Sequence, residues 1–445
     1  MTSVTVNSLS NSSTGELQLD DAHTLNVTGD VKNNGYINVD TIREDAAGTL
    51  VGSTGGSTLN IGGALTANWD MDIGNTRITS PATVNVAGMF SGGSVRLDGG
   101  DKLSGDTLPG APALLNVAAP APSTLVGSYE LSGFMGGAAV EFGGTNLIRQ
   151  IGDGSTNRGV VSLGGANAFL ELSGAKGSNS ALTGLQTIAS NGELDLGEGA
   201  ALVLNTSAGL TNNGTLEVGG GFRVNSAAGV INSGKVGIGG PVQITGGYTQ
   251  TDGTTYVDVH GTLMPASVSV SGGILSGDGT IQSDVSQTGG TVQPGQELRY
   301  PPIRHGGITL SVTGDYLLSN STYNEEIEDG IYSLLSVTGT LTLSSDTLVP
   351  IDVLDFTPTD GEAFFIANAG SVVGTFLNND IPFAGGTFTV KYNPASVELV
   401  WNSPVNSATP EPGTAVLLGP ALLGLAWAVR KKTRSAACRC TDTEM

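Results

Sequence analysis

The chain has 445 residues, 68 of them glycine, which is about 15% and roughly twice the usual share. Charged residues make up 13%, aromatics 5% and hydrophobic residues 38%, a composition that is neither that of an average enzyme nor that of a disordered chain. With 40 acidic against 18 basic residues the net charge is −22, which excludes nucleic acid as a partner and excludes charge-driven attachment to an anionic membrane.

Glycine shows no strict three-residue period and there are only 18 prolines, so collagen is excluded. The two cysteines, Cys438 and Cys440, sit at the extreme C-terminus, so neither a disulfide framework nor a zinc cage is expected before them.

The first residues, MTSVTVNSLSNSSTGELQLDD, carry neither a basic n-region nor an apolar h-region. No secretory signal peptide is legible there, and the true start is expected upstream unless the gene is truncated. From Gly15 onward a five-residue pattern, Gly-x-apolar-x-apolar, recurs: GELQL at 15–19, GYINV at 35–39, GSVRL at 93–97, GVVSL at 159–163, GELDL at 192–196, GTLEV at 214–218 and GKVGI at 234–238. Such alternation places one face of a strand in a core and the other in water. Gly15 to Gly35 is 20 residues, Gly192 to Gly214 is 22, Gly214 to Gly234 is 20 and Gly234 to Gly253 is 19. A period near 20 is that of one coil of a β-solenoid.

Ten residues after the leading glycine an apolar residue recurs at Leu25, Leu202, Val224 and Ile244. Each coil is thus expected to hold at least two short strands. Asp45 breaks the rule after Gly35, which predicts an inserted loop. Asparagine recurs two positions before the glycine, at Asn33, Asn212 and Asn232. It suits a turn, and stacked copies can form a side-chain ladder. A β-sandwich is the competing fold, but its hairpins need no repeat near 20.

The stretch 108–123, with Pro109, Pro112, Pro120 and Pro122, reads as a loop interrupting the solenoid, because proline cannot donate to a ladder. Near Gly290 the texture changes. GGTVQPG ends the repeat, and later segments (YSLLSVTGTLTL, FTVKYNPASVELVW) are longer, aromatic and joined by hairpin-like turns. Roughly residues 245–402 resemble the end of the passenger region of autotransporters and the equivalent stretch of many bacterial surface proteins. The resemblance implies a β module over 291–402 that caps the open end of the solenoid. Residues 403–409 read as a spacer.

The apolar stretch from Gly413 to Val429 would be about 25 Å long as a helix, slightly short of a bilayer core of about 30 Å. Arg430, Lys431, Lys432 and Arg434 follow at once and would hold that end on the cytoplasmic side. Pro410, Glu411 and Pro412 precede it. This order, Pro-Glu-Pro, short apolar helix, basic cluster, resembles the PEP-CTERM sorting signal of bacterial surface proteins. The resemblance implies recognition by an exosortase, removal of the tail, and transfer of the body to the cell surface or extracellular matrix. Residues 435–445 extend past the basic cluster, where such signals usually end, and read as a cytoplasmic tail.

Chemistry is sparse. His23, His260 and His305 are the only histidines, and no HExxH, P-loop or serine elbow accompanies them. A glycosidase needs two facing carboxylates. The local clusters, Asp20 with Asp21, Asp98 with Asp101, and Glu325 with Glu326 and Glu328, read as solvated turns or an acidic loop. Asp153 and Asp278, in glycine turns, are candidate calcium ligands, although ordinary solenoid corners look the same. Asn-x-Ser/Thr sequons such as Asn26-Val27-Thr28 carry little weight.

The expected fold is all-β: a right-handed parallel β-helix or solenoid over 1–290, a C-terminal β cap over 291–402 and a single C-terminal transmembrane helix within 410–434. The expected function is that of an exosortase-sorted structural or adhesive surface protein with no cofactor and no catalytic residue, contacting exopolysaccharide or other surface components. The alternative is a surface polysaccharide lyase or glycosidase on a β-helix scaffold. A groove holding a carboxylate pair and a basic residue would favour the enzyme; a smooth face rich in threonine and asparagine would favour the binding protein.

Overall fold

The computed structural model describes residues 2–44, 50–53, 55–75, 78–99, 111–134, 136–152, 158–295, 308–328, 331–352 and 356–404. These form an all-β chain of stacked, mainly parallel strands in the manner of a β-solenoid. The single helical element among them is the 3-10 turn Ser180–Leu182. No helix of the described residues is long and apolar enough to cross a membrane.

Each regular coil has three strands. In the coil at 210–224 these are Leu210–Asn212, Thr215–Val218 and Gly221–Val224. Each pairs in parallel with its counterpart in the next coil, Val230–Asn232, Lys235–Ile238 and Pro241–Ile244. Two of the three strands are those expected from the glycine pattern and from the apolar residue ten positions on. The third ends on the asparagine that sequence reasoning assigned to a turn.

That asparagine is buried. Asn33, Asn212 and Asn232 are all fully enclosed, and Asn212 Nδ2 donates to Asn232 Oδ1 at 2.9 Å and to the Lys235 carbonyl at 3.0 Å. The amide nitrogen therefore serves the inward-facing carbonyl of the corner that follows, which offsets the cost of burying it, while Asn212 Oδ1 finds no partner among the described residues. The expected ladder exists here, between Asn212 and Asn232. Asn33 instead pairs with Asn11, whose Nδ2 donates to it at 2.8 Å.

The leading glycines stack on one another. A Cβ on Gly214 would collide with the Gly192 carbonyl, one on Gly234 with that of Gly214, and one on Gly253 with that of Gly234. The same carbonyls open the ladder: Lys235 N donates to Gly214 O at 2.7 Å and Thr254 N to Gly234 O at 2.9 Å. Glycine is required because the preceding coil's oxygen occupies the Cβ position.

The period near 20 holds in this part of the chain and in the first coil, where Glu16 pairs with Tyr36 and Ser3 with Thr24, but not between them. In that intervening stretch, in-register asparagines are 34, 25 and 31 residues apart (Asn26 to Asn60, Asn60 to Asn85, Asn85 to Asn116). The extra length goes into corners. One such corner carries the antiparallel hairpin Ile42–Glu44 with Leu50–Gly52, where an insertion was expected.

Three expectations are corrected, the last of them at the acidic segment 325–328. The proline-rich stretch is not merely a loop: Ala113–Pro120 is a strand paired in parallel on both sides, with Ala82–Val86 and Ala138–Gly143. Pro112 precedes it and Pro120 closes it after a register shift, so neither proline is asked to donate within the regular ladder. The change of texture at Gly290 is likewise not a change of pairing. Thr291–Pro294 pairs in parallel with Ile274–Gly277 before it and with Thr322–Glu328 after it. Parallel pairing continues to Ala363–Thr375, which joins Leu334–Ser344 on one side. On its other side it meets Ser396–Asn402 antiparallel, and the hairpins of Asp380–Phe383, Gly386–Asn393 and Ser396–Asn402 follow. The aromatics concentrate there. Phe364, Phe388 and Trp401 are buried, and most of the ring pairs among them and their neighbours meet edge to face, with centroids such as Phe388–Trp401 at 5.3 Å.

The acidic segment at 325–328 is not a loop. Glu325 lies mid-strand with its side chain fully enclosed, opposite Pro350. Burial, then the neighbouring Glu326 charge, holds its carboxyl well above the usual range; Tyr323 and the Ser333 amide act in the opposite sense. A carboxylate with a raised folded pKa contributes most below its unfolded pKa, and that contribution is lost as pH rises.

Two outcomes follow. Gly234→Ala should destabilise the fold by about 1–3 kcal/mol in denaturant unfolding, whereas Gly174→Ala, whose Cβ would meet nothing within 4 Å, should be near neutral. Glu325→Gln should raise the melting temperature at pH 8 more than at pH 4, flattening the decline of stability with rising pH. A residual slope is expected from Asp72, Asp195 and Asp346, whose pKa values burial also raises.

Candidate functional site

The outer face of the seven-stranded sheet, which runs from Ser3–Val6 to Ala168–Leu172, is ordered by register. Thr24, Thr58 and Thr83 stand in one file. Two residues along each strand, Asn26, Asn60, Asn85 and Asn116 stand in the next, with Glu141 and Glu171 continuing it. Strand alternation produces this, since residues two apart share a face and Leu25, Leu59 and Val84 between them turn inward. The asparagine amides join head to tail: Asn60 Nδ2 to Asn26 Oδ1 at 2.9 Å, Asn85 to Asn60 at 2.8 Å, Asn116 to Asn85 at 2.8 Å. Beside this file lie the small residues Gly62, Ala87, Ala118 and Gly143, with Ser173 at the end, and the step down to them makes a groove of about 650 Å³. At its far end the Lys176 ammonium meets Glu141 at 2.5 Å.

Sequence reasoning missed this file. Its signal was the recurring tripeptide Thr-apolar-Asn, as TLN at 24–26 and 58–60 and TVN at 83–85. Unequal corners between these coils conceal the repeat.

A second feature lies on the fifteen-stranded sheet. Asp195 and Glu217 are register partners on adjacent strands and point outward. Gly237 follows in the same file, and its missing side chain leaves a notch of about 360 Å³ with Lys235, Tyr256 and Asp258 at its edge. The two carboxylates turn opposite ways along the stack. Asp195 accepts from Ser162 Oγ at 3.0 Å on the coil before, while Glu217 meets Lys235 Nζ at 2.7 Å and lies over Gly237 on the coil after. Burial raises the Asp195 pKa, the Ser162 hydroxyl opposes this, and the Glu217 charge adds to it. Both expected discriminators are thus present, on different faces.

Of the residues singled out by sequence, His23 and His260 are exposed; His23 lies on another part of the chain, its Nδ1 contacting the Asp20 carbonyl, whereas His260 stands two residues beyond Asp258, in the turn that borders the notch. Asp20 and Asp21 sit in a surface corner where the Asp21 amide donates to Asp40 Oδ1 at 3.2 Å. Asp278 occupies the turn Asp278–Gly279, and among the described residues no group of three His, Cys, Asp or Glu is placed to hold a metal. Asp101, Asp153, His305 and the sorting-signal residues Pro410, Glu411, Pro412, Arg430, Lys431, Lys432 and Arg434 lie outside the described residues. Compared with known proteins, the chain matches no protein-family model, and no curated protein aligns with it significantly.

Proposed function

We propose that this chain is an exported bacterial surface or matrix protein that acts by presenting a rigid, polar solenoid face, without catalysis. The observation that carries the binding reading is the file of Asn26, Asn60, Asn85 and Asn116 flanked by threonine. A regular array of amides and hydroxyls suits adhesion to a repetitive partner. The same reading takes the solenoid as right-handed, the usual hand for connections between parallel strands. It takes the antiparallel strands up to Asn402 as a cap that keeps the last coil from offering an open edge. The tail supplies sorting: Pro410-Glu411-Pro412, an apolar transmembrane helix and the basic cluster at 430–434 would be the substrate of an exosortase.

A second reading, a polysaccharide lyase or glycosidase, is favoured by the notch of Asp195, Glu217 and Lys235. Its weakness is that the two carboxylates diverge and the lysine is engaged by one of them.

The sorting reading is tested by expressing the chain behind a secretion leader in an exosortase-positive host and an exosortase-null one, then taking intact masses of surface and medium fractions. Loss of the segment after Pro412 in the positive host alone is expected; an uncleaved product in both would overturn it. The enzyme reading is tested with neutral and uronic polysaccharides. No release of reducing ends or unsaturated products is expected, and release abolished by Glu217→Gln would replace the adhesive reading with the catalytic one.

A further inference from the structure

We propose that the groove beside the asparagine file binds an uncharged, extended polysaccharide lying along the solenoid axis, about one sugar per coil. This rests on the adhesive reading and names its ligand and site.

The first argument is valence. A primary amide offers two N–H donors and two acceptor lone pairs. In the chain of amides, Asn60 and Asn85 each spend one donor on the preceding oxygen and lend one lone pair to the following nitrogen. One donor and one acceptor remain on each, which is what a sugar hydroxyl pair requires. The chaining also locks the amide planes, so little side-chain entropy is lost on binding.

The second argument is spacing. Adjacent strands lie about 4.8 Å apart, so the free valences repeat at that interval along the axis. That interval is close to the length of one pyranose unit in an extended chain.

The third argument is shape. Gly62, Ala87, Ala118 and Gly143 present no side chain beyond a methyl, so a ring can approach the sheet. The wall is fixed at Gly143, where a Cβ would collide with the Ala118 carbonyl.

The fourth argument is charge. Among the described residues the groove lining holds no cation, the Lys176 ammonium at its end is engaged by Glu141, and the chain as a whole carries −22. A polyuronate or sulfated chain would meet a repulsive field and no free counter-charge. The ligand class is therefore neutral.

The experiment uses the full chain and two probes, hydroxyethylcellulose as the uncharged polymer and polygalacturonate as the anionic one, in affinity electrophoresis. Binding to the first and not the second is expected. Ala87→Trp, which fills the groove and leaves the amides in place, should weaken binding by about tenfold or more. Asn85→Ala, which breaks the file, should weaken it by about fivefold. Gln243→Trp, an exposed position on the twenty-stranded sheet, should leave it unchanged. Retained melting temperatures separate loss of ligand from loss of fold. No retardation by the neutral polymer, retardation by the uronate alone, or undiminished binding by Ala87→Trp would each overturn the proposal. None of these outcomes bears on tail removal, so sorting to the surface stands or falls on the mass measurement alone.

Discussion

The fold depends on one steric condition: at the start of a strand in each regular coil, the chain must pass over a carbonyl oxygen of the coil before. Gly192, Gly214, Gly234, Gly253, Gly273 and Gly290 each meet it by having no Cβ, and each of the first five in turn presents the carbonyl that excludes a Cβ from the next; the relay ends at Gly290, which Ser321 follows. Register follows from this contact. Once the glycines align, Leu194, Leu216, Val236, Thr255, Leu275 and Val292 fall into one inward file. A slip by one residue would turn that whole file to solvent.

The interior is not wholly apolar, and its polar members follow the same geometry. Thr255 interrupts the aliphatic file, and its hydroxyl lies 2.5 Å from both Tyr248 Oη and Gln250 Oε1. Gln250 Nε2 donates to the Gly272 and Ile274 carbonyls at 3.2 and 3.0 Å. It takes the place held by Asn232 one coil earlier. A three-sided coil turns its corners tightly, and corner carbonyls point inward. Amide side chains at the end of the short third strand reach them. Further along, Gln287 accepts from the Tyr316 hydroxyl at 2.7 Å, so the same position serves the bulkier rings that herald the antiparallel end.

How much of this was legible depended on whether a position's constraint was local. The leading glycine and the two alternating apolar residues after it are set within five residues, so GELDL, GTLEV and GKVGI declare their strand in sequence. The third strand, at Leu210–Asn212, buries only Leu210 and an amide, too short a pattern for periodicity to register. Its asparagine has the chemistry of a turn residue, and only the partner at Asn232 reveals it as interior. Thr-apolar-Asn was hidden differently: the tripeptide is plain, but its repeats are spaced by corners of unequal length. The notch at Gly237 was half legible: Asp195, Glu217 and Gly237 share the fourth place of GELDL, GTLEV and GKVGI and so one file, but the contact of Lys235 with Glu217 appears only on stacking. Pro120 misled because proline ends a strand as readily as it prevents one. Glu325 misled because a run of acids reads as solvated, whereas alternation turns Glu325 inward and Glu326 outward, where it accepts from Gln293 Nε2 at 2.8 Å.

The corners vary in length while the strands keep register, and this bears on how such a chain changes over generations. Because Lys235–Ile238 meets Thr215–Val218 on one side and Thr254–Val257 on the other through the same kind of surface, a whole coil is an interchangeable unit. Duplication or loss of one coil would join flanks that already fit. Unequal recombination within the gene is therefore a route to longer or shorter rods, with reach adjusted in steps of one strand spacing and no new interface to be invented.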